Sequence, residues 1–544
     1  MRSARQAADE RDAAREPRGR RTIHLLAVGL LTLLAATAYS AFALTRFRTF
    51  RSASYDLVIF DQAVRSYAHL QPGVSIMKGL HNGFGPHFSV LGDHWSPILA
   101  TLAPLYWVSN TPVNLLVAQA VLFALAIPPV WMFTRRAFGG GTRATAAAYL
   151  VSVSYALSWP IASAVGFDFH EVAFAPVLTA VALERLQAGR LRTALAALAA
   201  LLLVKEDTGF LVAGVGIYVA VACPRVAGRP VLTGLVLVAV GLADSVLATY
   251  VLIPAFGGRS GYYWAYGAFG NNVPQVIGHI VTHPASSLRV LITPRVKVGT
   301  VAWLLAAFCF LPLRSPLTLA AVPLLLERML DTRFPNWWVT SFHYNAYLVI
   351  ILLFAAVDGA ARLEGTAAAV RKRFAASRSA AGLSAGGLSA AGLSAGGLPP
   401  AGSAGSSRTG GTFALACSAT MVAVAMALVP RFAFGAALHP SFYHRSARMD
   451  AAAAAAAVVP SGVTVEAANH LGPQLSGRDT VLLWAEDGET PRFSPWVVAD
   501  VTGREFFASV RAERRRVARL EAGGYQVAFR RDGYVVLHSP RVAR

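Results

Sequence analysis

The chain has 544 residues, of which 55% are hydrophobic and 14% are charged, whereas a typical soluble domain has roughly 25% charged residues. Several apolar runs approach the roughly 20 residues that cross a hydrocarbon core, so the composition excludes an ordinary soluble enzyme and predicts a multi-pass membrane protein. The formal net charge is +21, but positive residues in such a protein first mark cytoplasmic connections, so no nucleic-acid partner is expected.

The N-terminal half of the chain predicts a retained signal anchor followed by a membrane domain. A basic cytoplasmic tail, residues 1–22, precedes the first apolar run, and arginine-rich breaks separate the later runs within residues 23–374. With a last span at 412–430, these runs predict about eleven transmembrane helices and a cytoplasmic N-terminus. The expected fold class is therefore an all-α polytopic membrane protein.

Two later regions differ in composition from the apolar runs. Residues 375–411 are rich in Gly, Ala and Ser and lack bulky apolar side chains, which predicts a flexible cytoplasmic linker. Residues 455–544 contain short β-branched runs with one helical stretch between them. This pattern predicts a small extracytoplasmic α/β domain.

The predicted topology places the acidic and histidine-containing motifs on one side of the membrane. The first outer loop, residues 45–97, holds Asp56 and Asp61 near its start and the pair Asp93-His94 near its end. Ionisable groups this dense between apolar segments are costly unless they face water or one another. We therefore expect the loop to line a water-facing site at the outer surface of the membrane.

Asp56 and Asp61 are the candidate catalytic carboxylates. In the functional interpretation one of them is a general base that takes a proton from an acceptor hydroxyl, and the other orients it or binds a metal ion. In the structural interpretation Asp56 caps a helix and Asp61 pairs with Arg65 four residues later. The sequence leaves both interpretations open.

Asp93 and His94 are candidate ligands of a divalent metal, because carboxylate and imidazole groups both bind such ions. A capped helix start before Trp95-Ser96-Pro97 explains the same two residues equally well.

Six further residues are candidates for binding substrate or phosphate. They are His170, Glu171, Lys205, Arg289, Arg295 and Lys297. Arginine binds phosphate through two donors and lysine binds it as a point charge. The alternatives are acids that favour a helix N-terminus, a tight interfacial turn at Lys205-Glu206-Asp207, and cations attracted to anionic headgroups.

Four motifs, in order, resemble the bacterial and archaeal membrane family catalogued as domain of unknown function 2079. The motifs are Tyr55-Asp56-Leu57 with Phe60-Asp61-Gln62, Leu91-Gly92-Asp93-His94-Trp95-Ser96-Pro97, Phe167-Asp168-Phe169-His170-Glu171 and Leu203-Val204-Lys205-Glu206-Asp207. The resemblance spans residues 50–360, and the stretch 469–476 extends it into the C-terminal domain. The layout is similar to that of the GT-C glycosyltransferases, which use polyprenyl-phosphate sugars outside the cytoplasmic membrane.

The similarity to the GT-C glycosyltransferases, rather than the family itself, implies transfer of a sugar from a polyprenyl-phosphate carrier in the bilayer to an extracytoplasmic acceptor. Asp56 would occupy the place of the first-loop acid, with Asp61 as the other candidate, and Lys205, Arg289, Arg295 or Lys297 would balance the phosphate charge. Two other functions stay open. One is a transporter or flippase for a lipid-linked or anionic solute, and the other is a non-catalytic envelope sensor or scaffold that acts through residues 455–544.

Overall fold

The computed structural model describes residues 18–223, 229–259, 261–385, 407–484, 494–503 and 509–540. The α-helices are α1 (Arg18–Arg48), α2 (Ser54–Ala68), α3 (Ile76–His81), α4 (Ala103–Val108), α5 (Val113–Ala124), α6 (Ile127–Ala137), α7 (Gly141–Leu157), α8 (Trp159–Val165), α9 (Phe174–Gln187), α10 (Leu191–Leu201), α11 (Thr208–Ala222), α12 (Pro230–Leu247), α13 (Ile253–Ala255), α14 (Val273–Thr282), α15 (Pro284–Ile292), α16 (Val296–Ala306), α17 (Val322–Leu330), α18 (Pro335–Trp338), α19 (Ala346–Ala385), α20 (Ser407–Leu428), α21 (Ala447–Val458), α22 (Gly472–Leu475) and α23 (Val510–Ala522). The strands are β1 (Thr464–Ala467), β2 (Thr480–Leu483), β3 (Trp496–Asp500), β4 (Gln526–Arg531) and β5 (Tyr534–His538).

The described residues contain 5 helical segments that are long and apolar enough to cross a membrane. They are Gly19–Arg48, Val113–Ala137, Pro230–Ala255, His343–Val370 and Gly411–Arg431. A sixth is formed if α7 and α8 count as one span with a 42° bend, which falls where Pro160 opens α8 and cannot continue the preceding helix. The polytopic all-α membrane fold is confirmed, while the count of about eleven spans stays a prediction because several predicted spans are shorter helices.

Glycines allow α11 and α12 to pack closely. A side chain at Gly209 would lie 2.3 Å from the carbonyl oxygen of Gly241, and one at Gly216 would lie 2.6 Å from that of Gly234. Small residues at such a contact let two helix backbones approach each other. The contact fixes the start of α11, directly after the motif Lys205-Glu206-Asp207.

The C-terminal region forms the small α/β domain that the sequence predicts. Its sheet has the order β2-β1-β3-β5-β4, with β1 parallel to β2 and β3 and with β5 antiparallel to β3 and β4. Val465 of β1 lies opposite Val481 of β2 in this register. The predicted strands and the predicted helix, α23, are all present.

The C-terminal domain packs directly on the first loop after α1. The Gln474 side chain donates a hydrogen bond of 2.5 Å to the carbonyl oxygen of Phe47, and the Gln62 side chain donates one of 2.8 Å to that of Val481. One hydrophobic core runs through the helix bundle and into the sheet. The predicted loop 45–97 is thus a folded layer of α2, α3 and short turns between the bundle and the domain.

Part of the predicted basic tail and of the predicted linker lies outside the described residues. The tail is described from Arg18, where α1 begins. Within the linker, residues 375–385 continue α19 and residues 407–411 begin α20.

Candidate functional site

Asp56 has a backbone conformation that residues other than glycine rarely adopt. Its φ is 94° and its ψ is −71°, and together with Tyr55 it forms a non-helical turn near the start of α2. Such a conformation costs about 1–3 kcal/mol and persists only where the surroundings enforce it, most often at functional sites. The chain around Asp56 should therefore be held from outside α2.

Two distant stretches hold that chain in place. The backbone N–H of Ser54 donates a 2.6 Å hydrogen bond to the carbonyl oxygen of Asn469, and that of Tyr55 donates a 2.9 Å bond to the Asn469 side-chain oxygen. On the other side, the N–H of Ala53 donates a 2.8 Å bond to Asp168 Oδ2. The C-terminal domain and the loop before α9 thus fix the strained turn together.

Asp56 begins a series of polar contacts that passes through all four motifs. Its Oδ2 lies 3.5 Å from Nε2 of His170. The next residue, Glu171, is buried, and its Oε1 lies 3.1 Å from the ammonium nitrogen of Lys205. Three stretches that are far apart in the sequence meet in these two contacts.

The series returns to Asp56 through the end of the first loop. Glu206 Oε1 lies 2.7 Å from His94 Nδ1, and Asp93 Oδ2 lies 2.9 Å from the ammonium of Lys78. Lys78 in turn donates a 3.3 Å hydrogen bond to the hydroxyl of Tyr55, the neighbour of Asp56. We call this closed series, from Asp56 back to Tyr55, the polar ring.

Asp56 is the accessible acid of the polar ring. Its side chain is 28% exposed, whereas the side chain of Glu171 is 1% exposed. Glu206 and Asp93 are each committed to a cation or imidazole partner at less than 3 Å. Asp56 is therefore the carboxylate of the polar ring with the greatest access to the surroundings.

Three imidazole nitrogens of His170, which contacts Asp56, and of its neighbour His343 are buried without a hydrogen-bond partner within the described part of the chain. They are Nδ1 of His170 and both ring nitrogens of His343, and the two rings stack with their centroids 3.7 Å apart. A buried polar group left unpaired costs about 1–3 kcal/mol. Each of these nitrogens is therefore expected to bind a ligand or an ordered water. These nitrogens point to a polar ligand beside Asp56.

Asp61 lies apart from the polar ring and is fully buried. Its Oδ2 accepts a 2.7 Å hydrogen bond from Arg65, and its Oδ1 accepts one of 2.7 Å from the hydroxyl of Tyr106. Arg65 also donates to the carbonyl oxygen of Ser476. The contact with Arg65 matches the structural interpretation of Asp61. The contacts with Tyr106 and Ser476, which the sequence did not suggest, join α2 to α4 and to the C-terminal domain.

Lys297 is also engaged in a structural role. Its ammonium donates hydrogen bonds to the carbonyl oxygens of Val290 (3.0 Å), Met329 (2.7 Å) and Asp331 (2.8 Å). An ammonium group has three donors, so all of them are used and none is left for a phosphate group.

Arg289 and Arg295 are exposed at the end of α15 and just before α16. The structure does not join them to the polar ring.

Asp93 and His94 are occupied by ion pairing. Besides Lys78, Asp93 accepts a 2.7 Å hydrogen bond from the hydroxyl of Tyr263. Burial alone would raise the pKa of Asp93, but the Lys78 ammonium holds it below its usual value. Among the residues that the structure describes, no group of three or more His, Cys, Asp or Glu side chains is arranged to hold a metal ion. The pairing of Asp93 with Lys78 and of His94 with Glu206 places both residues in the polar ring.

Lys78 and His343 are site residues that the sequence analysis missed. A usable signal was present for the lysine, because the chain has 49 Lys and Arg residues and only four of them are lysines, at positions 78, 205, 297 and 372. The first three are buried and paired or hydrogen-bonded inside the protein. A rare lysine in an arginine-biased chain was thus a marker of an internal polar site.

We expect a pH-dependent stability from the contact between His94 and Glu206. Burial and Lys205 lower the pKa of His94, but Glu206 and Asp93 raise it further, so the folded-state pKa lies above the ordinary 6.5. The stabilisation is therefore fully present below about pH 6.5 and is lost as the pH rises through the folded-state pKa. The melting temperature of the wild type should fall more steeply from about pH 6 to 9 than that of His94→Gln. Equal slopes would contradict this role for His94.

Comparison with known proteins identifies a family and shows similarity to a solved structure. No curated protein matches the chain. The crystal structure of ArnT from Cupriavidus metallidurans bound to undecaprenyl phosphate is similar to it, with a TM-score of 0.46 and 13% identity over 93% of this chain and 97% of that chain. The family described as "Predicted membrane protein (DUF2079)" matches residues 46–385, which hold all four motifs of the polar ring. The chain belongs to this family of membrane proteins.

Proposed function

We propose that the protein transfers a sugar from a polyprenyl-phosphate carrier to an acceptor outside the cytoplasmic membrane. The observation that carries the proposal is Asp56, a strained and accessible carboxylate beside buried imidazole nitrogens that have no partner within the described residues. Strain at one residue combined with unpaired polar groups around it is typical of a site that a ligand completes.

The reaction requires one base. The hydroxyl oxygen of the acceptor attacks the anomeric carbon of the sugar on the face opposite the phosphate, and Asp56 accepts the hydroxyl proton. The bond between the anomeric carbon and the phosphate oxygen breaks, and the oxygen keeps the electron pair. Because this leaving group is a stabilised anion, no general acid is needed, in contrast to glycoside hydrolysis with its two carboxyl groups.

Lys205 is the candidate partner of the phosphate group. Among the described residues its ammonium has Glu171 as its ion-pair partner, and an ammonium carries three donors. The remaining donors can bind phosphate oxygens, whose charge grows as the bond to the sugar breaks. The free nitrogens of His170 and His343 can bind oxygens of the same substrate.

The position of arginines supports an extracytoplasmic site. The helix α9 begins three residues after Glu171 and ends beside Arg185. The next helix, α10, begins after Arg190 and returns towards Lys205. Arg185 and Arg190 therefore lie at the ends of α9 and α10 far from the polar ring, and helix ends that carry arginines face the cytoplasm in most membrane proteins.

Binding of a short-chain polyprenyl phosphate to the protein in nanodiscs, followed by native mass spectrometry, tests the role of Lys205. The double variant Lys205→Met with Glu171→Leu removes both charges of a buried pair, a replacement that folded proteins usually tolerate. We expect about tenfold weaker binding or worse, equivalent to at least roughly 1.4 kcal/mol.

The matched control for that experiment is Arg511→Gln, an exposed arginine of α23, which should bind like the wild type. Wild-type affinity in the double variant would contradict the assignment of Lys205.

A further inference from the structure

The helices α14 and α15 form a hairpin at the edge of the membrane domain. They follow the span that ends at Ala255 and precede the apolar helix α16. Of the ten residues of α14, all of which are described, none is buried, and α15 buries only Ser287. The hairpin therefore leaves most of its surface to the surroundings.

One side of α14 is apolar and exposed. Val273, Ile277 and Val281 are spaced four residues apart, and 41%, 57% and 72% of their surfaces are exposed. The four-residue spacing places them along one stripe of the helix. In α15, Leu288 and Ile292 repeat the pattern with exposures of 62% and 57%. A stripe of this kind at a membrane boundary is the mark of a helix that lies in the interface.

The polar part of the hairpin region carries positive charge only. From residue 260 to residue 326 the sequence contains no Asp or Glu. Arg289 and Arg295 are exposed at the end of the hairpin, and Lys297 fixes this end by its hydrogen bond to the carbonyl oxygen of Val290. The surface thus complements phosphate groups and offers nothing to a cationic partner.

We propose that the α14–α15 hairpin lies flat in the headgroup region of the leaflet next to the polar ring. The stripe Val273, Ile277 and Val281 enters the acyl boundary, and Arg289 and Arg295 bind the phosphates of anionic lipids. The occupant of this surface is the bilayer itself, and the hairpin would anchor the preceding loop, whose Tyr263 hydroxyl donates a hydrogen bond to Asp93 of the polar ring.

Fluorescence quenching in nanodiscs tests the depth of the stripe. A polarity-sensitive label is placed at Ile277→Cys, or at the control position Thr282→Cys, in a full-length chain whose Cys223, Cys309 and Cys417 are replaced. Thr282 lies roughly 140° around the helix from Ile277. We expect lipids with a quencher in the acyl chain to quench the label at position 277 about threefold more than at position 282. Equal quenching at both positions would overturn the proposal.

Lipid composition tests the role of the two arginines. Quenching at position 277 should be stronger in phosphatidylglycerol than in phosphatidylcholine nanodiscs, and Arg289→Gln with Arg295→Gln should remove that difference. The control Arg511→Gln, in the C-terminal domain, should keep it. A difference between the lipids that survives the double variant, or no difference in the parent protein, would overturn headgroup binding by these arginines.

Discussion

Asp56→Asn should slow the release of polyprenyl phosphate from a polyprenyl-phosphate sugar by roughly a hundredfold to ten-thousandfold, the usual contribution of a general base. Asparagine has the same shape as aspartate and tolerates a positive φ better than most residues. The strained turn at φ 94° should therefore survive the change. The measurement is the rate of carrier release by the protein in nanodiscs, with a cell-envelope extract as the source of acceptor.

Asp61→Asn separates a catalytic effect from a structural one. This substitution weakens the contact with Arg65 and Tyr106, which lies apart from the polar ring. We expect a lower melting temperature but an unchanged rate per folded molecule. Asp56→Asn with full activity, or Asp61→Asn with a comparable loss of rate at unchanged stability, would contradict the choice of Asp56 as the base.

Asp93→Asn should destabilise the protein by about 3–5 kcal/mol, because it leaves the Lys78 ammonium buried without its counter-charge. Lys78 is 2% exposed, and among the described residues its ammonium otherwise donates hydrogen bonds to the neutral hydroxyls of Tyr55 and Tyr263 at 3.3 Å. Burial alone lowers the pKa of Lys78, but Asp93 holds it above the ordinary value, so the lysine is charged in the folded protein. Thermal unfolding in detergent at about pH 7 measures the loss.

Two further variants test this explanation of the Asp93 effect. Lys78→Met combined with Asp93→Leu removes both charges and should recover most of the lost stability. Asp532→Asn removes an exposed carboxylate that lies 3.7 Å from Arg531, and it should change stability by less than about 1 kcal/mol. A double variant as unstable as Asp93→Asn would show that the Lys78 charge is not the cause.

The sequence predicted that the four motifs lie on one side of the membrane, but it did not predict which of their residues pair with one another. Hydrophobicity and arginine position placed the motifs of Asp56, His94, His170 and Lys205 on one side, and the structure brings them into one ring. Whether Asp56 or Asp61 is accessible depends on Tyr106 and on the C-terminal domain, which no local pattern reveals. Contacts of this kind between distant segments determine which of the two carboxylates is buried, and the buried one has a structural role.

For Lys297, too, the sequence did not reveal the partners. Here it suggested a binding role, whereas the structure shows a structural one. The sequence places Lys297 near Arg289 and Arg295 on a predicted outer loop, and a cluster of three cations is typical of a phosphate-binding site. Its three acceptors, however, are main-chain carbonyls, two of which belong to residues more than thirty positions away. Every residue has a main-chain carbonyl, so the residue types do not reveal which carbonyls accept these hydrogen bonds. Only the structure shows that this lysine has a structural role.

The number of membrane spans is harder to predict from the sequence than their existence. The apolar stretch around residues 191–222 is long enough for one span, but Lys205-Glu206-Asp207 divides it into α10 and α11, each shorter than a bilayer core requires. The charges sit where the two helices meet because they pair with Glu171 and His94. The site, rather than the bilayer, sets the length of these helices.

The most direct test of the central claim is to follow the bond between sugar and phosphate while the protein acts. Polyprenyl-phosphate hexoses and pentoses are supplied in turn to the reconstituted protein, and the carrier is analysed by mass spectrometry. We expect free polyprenyl phosphate to appear with at least one of these donors, and to stay at background in Asp56→Asn. Movement of the intact donor between leaflets, with the sugar still attached in every case, would contradict the proposed transfer and favour a flippase.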